Sequence, residues 1–89
     1  PYVVSGQATN ITVNVESIAG GTVFLPPSPF SGQRVTVKDT GGNAGFATIT
    51  VDGNGEIVEG DTFALINSSG GAITFLYNGT DWRVESFVT

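Results

Sequence analysis

The stretch Val23-Phe-Leu-Pro-Pro-Ser-Pro-Phe-Ser-Gly-Gln-Arg-Val-Thr-Val-Lys-Asp39 joins two strand-like runs through a corner of three prolines and a glycine. Pro26, Pro27 and Pro29 each fix φ and donate no backbone hydrogen bond, so they suit a connection rather than a paired strand. Gly32 supplies a free φ where the chain must turn. From Gln33 the sequence alternates. Val35 and Val37 lie on one side, and Arg34, Thr36 and Lys38 on the other. This period of two is the mark of a half-buried strand. A corner of this kind organises a β-fold and leaves no reactive group in place.

The same pattern extends in both directions. Over residues 10–16, Ile11, Val13 and Val15 oppose Thr12, Asn14 and Glu16. Further strands are expected at 22–25, 33–38, 46–51, 62–66, 72–77 and 82–88, with a short local piece at 56–58. Between them lie turn-forming runs: Gly20-Gly21, 39–45, Asp52-Gly-Asn-Gly55, 67–71 and 78–81. Strands recurring every 8–12 residues or so have the spacing of a sandwich or small barrel. Val, Ile and Thr total 28 residues, against 18 for Ala, Leu, Glu, Lys, Met, Arg and Gln together, a balance that favours strands. The expectation is one domain over residues 1–89: an antiparallel all-β sandwich or flattened barrel of seven to eight strands.

With 89 residues and no Cys, a lone core is thin and no disulfide supplements it. Oligomerisation is the remaining supplement. Bulky residues on both faces of the last strands, Phe63 to Tyr77, fit that reading. Phe24, Leu76 and Phe87 fall opposite the expected core residues of their strands. They are therefore either subunit contacts or the other half of one sandwich.

A net charge of −5 with only three basic residues argues against nucleic acid and against an anionic membrane surface. There is no His, so a His-ligated metal centre is excluded. Asp52-Gly-Asn54-Gly-Glu56 starts like a calcium loop, but Ile57 and Phe63 stand where an EF-hand needs Gly and Glu. A different site drawing on Asp52, Glu56, Glu59 or Asp61 competes with a solvated turn, and the turn is preferred. A nucleophile–base pair is hard to build without His or Cys and with Lys38 the sole lysine, so no catalytic residue and no cofactor is assigned. Asn10-Ile-Thr, Asn67-Ser-Ser and Asn78-Gly-Thr match the glycosylation pattern and also suit turns. Tyr77 and Trp82, with Tyr2, are candidates for stacking a host glycan. The competing reading is that Trp82 closes one end of the core.

Several motifs occur here in a fixed order. The first is Val23-Phe-Leu-Pro-Pro with Gly32-Gln-x-Val-x-Val-Lys-Asp39. Then follow Gly42-Asn-Ala, Ile49-x-Val-Asp-Gly-Asn-Gly-Glu56, Asp61-x-Phe-x-Leu-Ile-Asn67 and Thr74-Phe-x-Tyr-Asn-Gly-Thr-Asp-Trp82. In this order they resemble a segment of tail-fibre, appendage and other virion proteins of tailed bacteriophages, over about residues 22–85. The resemblance implies a β-rich, usually trimeric structural domain on the virion surface, with no catalytic residues. It implies major capsid or tail proteins as partners, and host glycans if the chain reads a receptor. The short length, without stalk or repeat, adds a capsid decoration or cement protein to the tail-fibre reading.

Overall fold

The computed structural model of the chain describes residues 2–4, 8–16 and 18–88. Its eight strands are β1 (Tyr2–Val3), β2 (Asn10–Val15), β3 (Gly21–Phe24), β4 (Arg34–Asp39), β5 (Ile49–Asp52), β6 (Phe63–Ile66), β7 (Ala72–Tyr77) and β8 (Trp82–Val88). They form two four-stranded sheets, ordered β1-β3-β5-β6 and β2-β4-β7-β8. The chain is all-β, and the described residues contain no helix.

The sheets are mixed, which corrects the expected antiparallel pairing. β1 with β3, β2 with β4 and β3 with β5 are parallel, whereas β4–β7, β5–β6 and β7–β8 are antiparallel. The cause is the path of the chain. From β1 to β5 successive strands alternate between the two sheets. Parallel neighbours ordinarily need a long crossover, often a helix. Here the crossover is a strand of the opposite sheet.

The proline corner makes one of these transfers, from β3 to β4. The Leu25 N–H donates to the Asp52 carbonyl at 2.9 Å, anchoring the corner on the first sheet. At its far end Gly32, with φ of 93°, donates its N–H to the Tyr77 carbonyl of the second sheet at 2.8 Å. The prolines occupy the span between, where no ladder hydrogen bond is required.

Side chains from both sheets meet in one buried cluster. Val23, Ile49 and Val51 come from the first; Val35, Phe75 and Trp82 from the second. At about 25 cal/mol per Å² of apolar surface removed from water, this cluster is the main stabilising term. Alternation accounts for most of the positions. Two expectations shift. Residues 43–47 form a turn closed by the Phe46 and Ala47 N–H groups on the Asn43 carbonyl, at 2.9 and 2.8 Å, so β5 starts at Ile49. The piece at 56–58 is reduced to bridges from Val58 to Asp61 and to Trp82.

One irregularity changes which side chains share a face. Along β8, Trp82 and Val84 oppose Tyr77 and Phe75, but a bulge follows, and Ser86 then opposes Thr74. The extra residue reverses the alternation, as bulges do. Phe87 consequently opposes Ile73 on the core side of the sheet.

Candidate functional site

The groups with chemical potential are engaged inside the fold. Asp52 Oδ1 accepts the Asn54 N–H at 2.8 Å, and Asp61 Oδ1 accepts that of Thr62 at 2.8 Å. Glu59 Oε2 accepts the Val84 N–H at 2.8 Å, and its other oxygen lies 3.7 Å from Arg83. Glu56 Oε1 accepts the Tyr77 hydroxyl at 2.8 Å. These are the four carboxylates weighed for a cation. Among the described residues no three His, Cys, Asp or Glu side chains converge on one point.

Asp39, at the end of β4, is 2 % exposed. Its Oδ2 accepts the N–H groups of Ala44 at 2.8 Å and Gly70 at 3.0 Å, tying two loops to one strand end. Those bonds hold its carboxyl below the usual range, Ala44 contributing most, against a smaller opposing effect of burial. In the sequence Asp39 ends a motif and opens the turn-forming run 39–45. A carboxylate ending a strand before Thr-Gly-Gly-Asn is a signal for such a clamp.

Tyr77 and Trp82 do not form a glycan platform. They are 7 % and 0 % exposed, and Trp82 stands edge-on to Tyr77 with ring centroids 5.2 Å apart and planes at 62°. Neither offers a ring face to a sugar. Both are the inward residues at the hairpin end of β7 and β8, so the core-closing role describes Trp82. Of the aromatic residues proposed for stacking, Tyr2 alone is exposed.

Phe24, Leu76 and Phe87 lie on three different surfaces. Phe24 is half-buried on β3, with Val3 and Asp52 as its cross-strand neighbours in the first sheet. Leu76 is half-buried between Arg34 and Arg83 in the second sheet. A two-pronged ion pair spans the strand there, from Arg34 Nε and Nη2 to the Glu85 oxygens at 2.6 and 2.8 Å. It pulls the Glu85 carboxyl below its ordinary value. Phe87, 67 % exposed, overhangs the end of the core on β8.

Two open edges complete the surface. On one side β6 and β8 end their sheets, and a groove of about 330 Å³ opens between them, lined by Leu65, Ile66, Ile73, Val84, Phe87 and Val88 among others. On the other side β1 and β2 end the sheets. A wider groove of about 490 Å³ lies there beside Tyr2, Thr12, Val13, Val15, Gly21 and Val23. Every exposed large hydrophobic side chain that lies in a strand belongs to β1, β6 or β8: Tyr2, Val3, Phe63, Leu65, Phe87 and Val88. No protein-family model matches this chain, and no curated protein matches it.

Proposed function

We propose that this chain is a structural protein of a tailed-bacteriophage virion surface. In this reading it is a capsid decoration or cement protein, or a short fibre or appendage domain. It works as a homotrimer whose protomer is a β-sandwich. The observation that carries the reading is the distribution of exposed apolar side chains, which within strands is confined to the sheet edges. Surface of that kind serves association. The order of motifs from Val23 to Trp82 supplies the phage context.

The mechanism is burial of apolar area at subunit junctions. An interface of ordinary size, with its usual apolar share, has a gross driving force of roughly 20 kcal/mol, most of it offset by the cost of association. The net charge of −5 keeps the assembled surface repulsive toward further copies.

Two measurements test the reading. Native mass spectrometry of the purified chain at micromolar concentration is expected to give three copies of the 9.2 kDa protomer. An antiserum against the chain is expected to label intact particles of the phage that encodes it. A stable monomer removes the trimer, and unlabelled particles remove the virion role.

A further inference from the structure

We infer that Asn78 is a site of spontaneous modification. Its side-chain amide is set to close on the Gly79 nitrogen, lose ammonia and leave an aspartate or isoaspartate at the tip of the β7–β8 hairpin.

Asn is followed by Gly at two places, Asn54-Gly55 and Asn78-Gly79. A glycine has no side chain to shield its backbone nitrogen and lets the chain bend toward the preceding amide. The fold treats these two amides in opposite ways.

At Asn78 the acceptor end is held and the amino end is free. Oδ1 accepts the N–H groups of Thr80 and Asp81, each at 2.9 Å. Two donors facing one atom require that atom to be the oxygen. Nδ2 has no hydrogen-bond partner among the described residues, and neither has the Gly79 N–H. Asn78, Gly79 and Thr80 are all exposed, so water reaches every reacting atom.

At Asn54 the amino end is held instead. Nδ2 donates to the Leu25 carbonyl at 3.1 Å, and the Asn54 N–H donates to Asp52 Oδ1 at 2.8 Å. The residue is half-buried, with φ of 54°. Its leaving group is tied to the proline corner, and no hydrogen bond polarises its carbonyl.

The reaction balances with water alone. The Gly79 nitrogen attacks Asn78 Cγ, a five-membered ring closes, and the negative charge that develops falls on Oδ1. Two N–H groups at 2.9 Å already face that oxygen, the geometry that stabilises a tetrahedral oxyanion. The Cγ–Nδ2 bond then breaks, and ammonia leaves with the proton that the Gly79 nitrogen gave up to solvent. Water opens the cyclic imide at either carbonyl, giving aspartate or isoaspartate. Each product carries one negative charge more than the present −5.

The two products differ in consequence. An aspartate keeps an acceptor for both N–H groups. An isoaspartate inserts a methylene into the backbone between the Asn78 N–H and the Asp81 carbonyl, which are bonded at 3.1 Å. Trp82, the enclosed end of the core, follows directly. The isoaspartate form is therefore expected to melt about 4–8 °C lower, the shift that goes with losing one turn hydrogen bond.

The test incubates the whole chain at neutral pH, folded and in urea, and follows each site by peptide mapping and isoaspartyl methylation. In urea the two sites are expected to react at similar rates. In the folded chain Asn78 is expected to lead Asn54 by about tenfold, the order that one or two hydrogen bonds strengthened in the transition state supply. Asn78→Ser, with tryptophan emission confirming the fold, is expected to lose the fast acidic form on isoelectric focusing and keep the slow one from Asn54. Equal rates in the folded chain, Asn54 leading, the same ratio with and without urea, or a fast acidic form that persists in Asn78→Ser overturns the inference.

Discussion

Trp82 stands edge-on to Tyr77, ring centroids 5.2 Å apart, and the Tyr77 hydroxyl passes the contact on to Glu56 at 2.8 Å. The chain thereby seals one end of its core with an aromatic pair from adjacent strands. Removing the larger ring leaves a cavity that a small core cannot refill. Trp82→Ala is expected to cost about 3–5 kcal/mol, a large part of the roughly 5–15 kcal/mol that keeps a domain folded. Urea unfolding checks this. The wild-type emission is expected at short wavelength and unchanged by added oligosaccharides, because the indole is enclosed.

Tyr77 is expected to ionise late. Its hydrogen bond to Glu56 raises the phenol above its ordinary value, and burial and the nearby negative charges of Glu56 and Asp81 add to the shift. A raised value means that the folded state holds the proton more tightly. The stability this contributes is complete below the unfolded value of about 10 and is lost as pH rises through the folded one. Tyrosinate absorbance at high pH reads the titration directly. In Glu56→Gln the late component should move back toward the ordinary range. No movement would mean that the pair is not formed in solution.

Asp39 sets the opposite slope at acid pH. Its carboxyl is lowered chiefly by the Ala44 and then the Gly70 N–H groups. The stability it contributes is present above the unfolded value of about 3.9 and is lost as pH falls through the folded one. Wild-type chain is therefore expected to lose thermal stability below about pH 4, and Asp39→Asn to lose less over the same window. Hydrogen exchange should show the Ala44 and Gly70 amides losing protection together in Asp39→Ala. Loss at one loop without the other would break the clamp assignment.

Gly20 is expected to tolerate no side chain. Its φ is 69°, and a Cβ there would lie 2.5 Å from the Thr48 carbonyl oxygen. Both the backbone conformation and the space oppose substitution, so Gly20→Ala should destabilise by more than about 1 kcal/mol. At Gly32 nothing stands within 4 Å of the same added atom. Gly32→Ala therefore meets only the conformational penalty of its positive φ and should be the milder of the two by thermal melting.

The strands were legible where alternation is local. Val35 and Val37, Ile73 and Phe75, and Ile11, Val13 and Val15 announce their shared faces within six residues. β1 escaped because two residues, Tyr2 and Val3, carry no period. Pairing direction escaped for another reason. Whether Val13 pairs with Val37 in parallel depends on where β3 goes between them, and no local pattern encodes that. The site candidates divide likewise. Trp82 was readable as a core cap because it opens an alternating strand beside a turn. The face of Phe87 was not, because a bulge after Val84 is set by the neighbouring strand rather than by composition. The clamp at Asp39 was missed because its partners are backbone amides, which no side-chain motif reveals.

The passage of the chain from sheet to sheet also governs how the protein is born. None of β1 to β4 pairs with the strand next to it in sequence. The closest reversal in the molecule, β7 to β8 across residues 78–81, leaves the ribosome last of the eight strands. Local contacts form quickly and distant ones slowly. Pulse-labelled exchange should therefore show protection arising first in β7 and β8, with β1 to β3 following. The strands of the first sheet and the β2–β4 pair have their partners by then, but the second sheet is completed only when its final hairpin arrives.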